Sequence, residues 1–178
     1  MTATQESTAV IPDFGDDDET DRKICFIASK GTLDMVYPSL VMANAALGEG
    51  IETHIFFTFW GLDIITKKHM DDLQFTWMGN TAMHPPGGGM HMPQGAAGLP
   101  GMTRLATRMM KKQIADLDVP EVPEFVQMIS DAGGHLWACK MTVDMMGLSK
   151  EDMIDEVEDI ISATDFIELS EGAQVIFT

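Results

Sequence analysis

The sequence predicts an α/β fold of three layers, with a mainly parallel sheet between helices on both faces. Short apolar runs rich in β-branched and aromatic residues alternate with stretches whose apolar residues recur at helical spacing. Hairpin turn signals between those runs are few, which favours crossover connections and therefore parallel strands. The hydrophobic share of 45% is that of a globular chain, and no apolar run approaches the roughly 20 residues needed to span a bilayer. A chain of 178 residues suits one domain with a sizeable core.

Met1 to Arg22 holds Glu6, Asp13, Asp16, Asp17, Asp18, Glu19 and Asp21 with few bulky apolar side chains, and reads as a disordered acidic tail, residues 1–22. The single domain is expected over 23–178. Lys23 to Ala28 (KICFIA) is a buried first strand, ended by Ser29-Lys30-Gly31. From Thr32 to Leu47 the residues Leu33, Val36, Leu40, Ala43 and Leu47 repeat at helical spacing, with Gly48 and Gly50 as stop signals. Glu52 to Trp60 (ETHIFFTFW) reads as a second buried strand, and Gly61 opens a helical stretch to about Met70.

From Met83 to Gly101 the chain turns to Met, Gly and Pro, a long loop in which neither helix nor central strand is expected. Helical signal returns at Thr103 to Leu117 and, after Pro120, at Pro123 to Ala132, which Gly133-Gly134 ends. His135 to Cys139 (HLWAC) is the third main strand. Ser149, with Asp152 in capping-box spacing, starts a further helix. Ala163 to Glu171 is helix-like, and Gln174 to Phe177 closes the chain as a strand.

The formal charge of -17 disfavours polyanionic partners, so nucleic acid and anionic membrane are not expected. The N-terminus lacks the basic start and apolar centre of a secretory signal, and the expected location is cytoplasmic. Two cysteines, Cys25 and Cys139, stand too far apart for a CxxC pair and too few for a cysteine zinc site. No cofactor is expected. Sixteen methionines are explained first by packing and subunit contacts, and an oligomer is expected.

In an open parallel sheet, chemistry sits beyond the carboxyl ends of the strands, so Ser29 to Gly31, Trp60-Gly61 and Cys139 should converge on one edge. Cys139 falls where HLWA gives way to KMTVDMMG, at a strand end and in front of a helix. Helix N-termini and nearby cations stabilise a thiolate, and Lys140 is the next residue. Cys25, flanked by Ile24, Phe26 and Ile27, reads as a buried structural thiol.

His84 and His91, with Met83, Met90 and Met92, are weak candidates for a soft metal such as Cu(I), set against the ordering cost of a flexible loop; no metal is the expectation. His54, His69 and His135 read as histidines in local hydrogen bonds. Strand alternation puts His135 on the face of Cys139 but about 13 Å away, which does not support Cys-His catalysis. Arg104, Arg108, Lys111 and Lys112 form a basic stripe, read as a solvated helix face with docking to an acidic carrier as the alternative. Ser29-Lys30-Gly31-Thr32 lacks the glycine spacing of a nucleotide loop.

Three segments together resemble the DsrE/DsrF/DsrH-like superfamily, in the DsrE-like branch often labelled peroxiredoxin-like. They are KICFIASKGTLDMVYPSLVMANAALGEGIETHIFFTFWGLDIITKK, the Met/Gly/Pro loop leading into GMTRLATRMMKK, and GGHLWACKMTVDMMGLSKEDMIDEV. The most specific parts are Thr58 to Gly61 (TFWG) and Cys139 to Gly147 (CKMTVDMMG). The resemblance implies a mainly parallel sheet of about five strands and assembly into oligomers. It also implies a cysteine, here Cys139, that accepts sulfane sulfur and passes it to a TusA-like or rhodanese-like sulfur-transfer protein. Lys140, Thr142, Asp144, Gly31, Thr58, Trp60 and Gly61 are the supporting positions. Lys140, Thr142 and Val143 stand where relatives often carry Gln, Ser and Met.

The leading expectation is therefore a sulfur carrier or sulfurtransferase working through a Cys139 persulfide or thiosulfonate. A non-catalytic binding or scaffold subunit and a thiol peroxidase are the alternatives; the Thr-x-x-Cys context of peroxidatic sites is absent. The 83–101 loop is expected near Cys139 as a movable cover, within or between subunits.

Overall fold

A computed structural model describes residues 22–84 and 88–178. The acidic stretch read as a disordered tail lies, apart from Arg22, outside the described residues. Five strands, β1 (Lys23–Ala28), β2 (Glu52–Phe57), β3 (His135–Cys139), β4 (Val157–Ile161) and β5 (Gln174–Phe177), form one sheet in the order β4-β3-β2-β1-β5. Every pairing is parallel. The helices are α1 (Leu33–Gly48), α2 (Gln94–Ala97), α3 (Met102–Ala115), α4 (Val122–Asp131), α5 (Lys140–Met146) and α6 (Ala163–Leu169), with 3-10 turns at Phe59–Ile65, Met70–Asp72 and Lys150–Asp152.

The strand order explains how the layers are filled. From β1 to β4 the chain steps repeatedly in one direction across the sheet, and right-handed crossovers place all of those connections on one face. The last connection runs back from β4 to β5, on the far side of β1, so α6 belongs to the opposite face. The first face carries the main core: Phe26, Ile55, Phe57 and Leu136 from the sheet meet Leu33, Val36 and Leu40 of α1 and Phe125, Val126 and Ile129 of α4. The second holds a small cluster of Cys25, Phe56, Cys139 and Phe166, the last from α6. Among the described residues, no helix is long and apolar enough to cross a membrane.

Several elements depart from the sequence expectations. β2 ends at Phe57, three residues early, because Phe59 turns into the left-handed region at φ 47° and starts a 3-10 turn. Within the 83–101 loop, Pro93 and Gly98 bracket a single helical turn, α2. The Ser149/Asp152 capping box forms, but the helix it opens stops after three residues. Met153 and Ile154 then bury into the main core, with the Ile154 N–H donating to the Ile65 carbonyl at 3.0 Å. That anchoring leads the chain into β4, a strand hidden in the acidic run EDMIDEVEDII.

Candidate functional site

The parallel register aligns Ala28, Phe57 and Ala138, so the turns after β1, β2 and β3 share one edge of the sheet. Two glycines let the first two turns interlock. A Cβ on Gly61 would stand 2.1 Å from the Ala28 carbonyl oxygen, and one on Gly31 would stand 2.3 Å from that of Trp60. Both approaches are backbone on backbone, which only glycine permits. The Thr58 N–H donates to the Ala28 carbonyl at 3.0 Å, completing the junction.

Cys139 is the last residue of β3 and the N-cap of α5. It is 4% exposed, packed in the cluster with Phe56 and Phe166, whose rings stack at 4.5 Å. Thr58, from the end of β2, and Thr142, from the first turn of α5, are buried beside it, with their hydroxyl oxygens 3.2 Å apart. Thr142 Oγ1 also accepts the Phe59 N–H at 3.0 Å. The left-handed backbone at Phe59, sparsely populated for a bulky residue, is thus tied directly to the threonine pair.

Burial pushes the Cys139 thiol up, but hydrogen bonds from the Thr58 hydroxyl, the Thr142 N–H, the Thr142 hydroxyl and the Met141 N–H outweigh it and hold the thiol below its ordinary range. The donors are those of the N-terminal turn of α5, which Cys139 caps, and of the threonine pair beside it. The two hydroxyls carry one proton each, and their mutual bond uses one of them. Either hydroxyl can be the donor of that bond, which leaves the other's proton for the sulfur. Such an arrangement favours a thiolate without any neighbouring cation.

Lys140, the cation next to Cys139 in the sequence, has a carboxylate partner on its own helix. Its ammonium pairs with Asp144 at 3.6 Å, with both side chains mostly exposed, while the leading stabilisation of the thiolate comes from hydrogen bonds. Trp60 is 65% exposed and lines, with Lys30, Gly31, Lys68 and His69, a cavity of about 380 Å³ at the same end of the sheet. Cys25 is fully buried, and burial pushes its thiol up to about 11.

The described residues of the 83–101 loop are tied by hydrogen bonds to the segment 77–80. Trp77 Nε1–H donates to the Pro93 carbonyl at 3.2 Å, and Gln94 bridges Gly79 and Asn80. Within one chain the loop adjoins 75–80 and α3, whereas the cysteine's neighbours come from β2, α5 and α6. Among the described residues no group of three or more His, Cys, Asp or Glu is placed to hold a metal; His84 lines a methionine-rich cavity, and His91 is exposed. Arg104, Arg108 and Lys112 are exposed on α3, and Lys112 pairs with Asp116 at 2.6 Å. Lys111 Nζ donates to the Asp71 carbonyl at 3.2 Å.

Sequence reasoning missed Phe59, whose role depends on the exact end of β2, and an aromatic group on the second sheet face. The register sets His54 beside His135, and their rings stack at 4.6 Å. Trp137 Nε1–H donates to His54 Nδ1 at 3.1 Å, which leaves the proton on Nε2 to donate to Glu52 at 2.8 Å. His135 pairs with Glu158. Burial, with the nearby charges of His135 and Lys23, holds His54 below the ordinary imidazole range against the opposing effect of Glu52.

The DsrE/DsrF/DrsH-like family profile matches residues 20–177. The chain belongs to this family. It is 37% identical over 138 residues to the sulfur carrier protein DsrE2 of Allochromatium vinosum, a match covering 77% of this chain and 86% of that protein. It is 25% identical over 163 residues to the uncharacterized protein YrkE of Bacillus subtilis, covering 89% and 98% of the two chains. Among solved structures, a protein of unknown function from Methanobacterium thermoautotrophicum superposes with a TM-score of 0.53 at 12% identity, covering 89% of this chain and all of that one. That likeness concerns the fold. As a DsrE-family chain, the protein has the all-parallel five-stranded α/β architecture expected from its sequence.

Proposed function

We propose that the protein is a sulfur carrier or sulfurtransferase in which Cys139 receives sulfane sulfur and yields it to a partner thiol. The observation that carries this reading is the place of Cys139, at the end of β3 and the N-cap of α5 with the buried Thr58–Thr142 pair beside it, a setting whose hydrogen-bond donors favour the thiolate. The likeness to a sulfur carrier of the DsrE type supports it. The Cys139 thiolate attacks the outer sulfur of a persulfide R–S–SH, breaking the S–S bond to release R–S⁻ and leaving Cys139–S–SH. An acceptor thiolate then takes the outer sulfur and regenerates the Cys139 thiolate, so no external oxidant or reductant is consumed. Attack on tetrathionate breaks its central S–S bond, releases thiosulfate and leaves Cys139–S–S–SO3⁻, and a TusA-like or rhodanese-like protein is the kind of partner that fits.

One observation favours a second reading. At 4% exposure and packed on Phe56, the sulfur is as covered as an inert core thiol, which suits a non-catalytic subunit of a relay complex. Intact-mass analysis after incubation with polysulfide or tetrathionate separates the two. Loading of wild type and Cys25→Ser, absent in Cys139→Ser, is the expected result. Equal loss in both variants, or no loading of wild type, overturns the proposal.

A further inference from the structure

Leu73, Phe75 and Trp77 are buried along an extended segment that belongs to no strand, and α3 holds it in place. The Phe75 N–H donates to Thr107 Oγ1 at 2.9 Å. Between this segment, α3 and the loop lies a cavity of about 350 Å³, lined by Phe75, Trp77, Met83, Met92, Met109 and Met110, with Ala106, His84 and Gln113 completing the wall. The loop side is held by hydrogen bonds: Met92 N–H to the Met83 carbonyl at 2.8 Å, Trp77 Nε1–H to the Pro93 carbonyl, and the Gln94 bridge. The space is therefore bounded on three sides by anchored elements.

We infer that this cavity is a binding site for an uncharged, apolar organic molecule, separate from Cys139. The cavity falls within the volume range of small-molecule sites, which are mostly apolar with a few polar groups to fix orientation. Gln113 is such a group here. Among the described residues no Asp, Glu, Lys or Arg lines the cavity, so a charged ligand would lose its hydration without a counter-charge. Four methionines give a polarisable wall that adapts to the ligand's shape.

The test uses the full chain and the neutral fluorophore N-phenyl-1-naphthylamine. Titration is followed by the methyl signals of ¹³C-methyl methionine, assigned with single Met→Leu variants. The signals of Met83, Met92, Met109 and Met110 are expected to shift, and those of Met141 and Met145 on α5 to stay in place. Ala106→Leu, which narrows the cavity floor, should weaken binding at least about tenfold, and Cys139→Ser should leave it unchanged. Probe binding that shifts Met141 and Met145 instead, or no binding at all, overturns the inference. So does stoichiometric Cu(I) uptake in competition with bicinchoninate that excludes the probe, which would make this a thioether metal site. The methyl readout on wild type decides the matter even if Ala106→Leu does not fold.

Discussion

Thr142 is fully buried, accepts an N–H from Phe59, shares a hydrogen bond with Thr58 and helps to hold the Cys139 thiol below its ordinary range. Its replacement by Val keeps the shape and removes the hydroxyl. A hydrogen bond to a charged group contributes more than one between neutral groups, so the thiol pKa should rise and the neutral-pH alkylation rate fall on the order of tenfold. The pH profile of iodoacetamide reactivity measures this: its midpoint moves upward in Thr142→Val. Lys140→Gln should change the same rate by less than about twofold, because exposed i,i+4 ion pairs contribute little. A large effect of Lys140→Gln with none of Thr142→Val would reverse the assignment of the stabilising groups.

The interlocked turns and the histidine stack belong to the scale of elements. Gly61→Ala would drive a Cβ into the Ala28 carbonyl, a backbone atom that cannot swing aside. Urea denaturation should show a loss of about 1–3 kcal/mol or more, the usual cost of overpacking. His54 ties β1, β2 and β3 together through Glu52 and Trp137 on the second face of the sheet. A base whose folded pKa lies below its unfolded one takes up more protons when unfolded, so its contribution is complete above the ordinary value of 6.5 and declines as pH falls beneath it. Denaturation midpoints should drop from pH 7.5 toward pH 5.5 in wild type, and less steeply in His54→Gln. An identical slope in the two proteins would show that His54 is not the titrating group.

At the scale of the whole molecule, the seven residues of α6 cover only part of a five-stranded face. Val175 and Phe177 on β5 and Ile167 on α6 remain 48%, 69% and 68% exposed. An apolar surface of this kind is the expected place for self-association. Sedimentation should find an oligomer at micromolar concentration, shifted toward monomer by Phe177→Glu. Because each chain carries a formal charge of -17, added salt should strengthen the assembly by screening repulsion. A monomer at all salt concentrations would mean that this face is covered by something other than a second copy.

By itself the sequence determined what local chemistry controls. Alternating apolar runs and helical spacings placed β1, β3 and β5 and the cores of α1, α3 and α4 within a residue or two, and crossover-length connections implied parallel pairing. It also marked Cys139 at a strand end, because the change from HLWA to a helical pattern is visible in the chain. Only the tertiary structure decided which groups surround that sulfur. Thr58 and Thr142 are 84 residues apart and meet through the β2–β3 register, as His54 meets His135. The end of β2 and the existence of β4 were likewise settled by long-range contacts, the Phe59 N–H to Thr142 and the Ile154 N–H to Ile65. Propensity acts over a turn or a strand, whereas the donors that shift a thiol's pKa act through space.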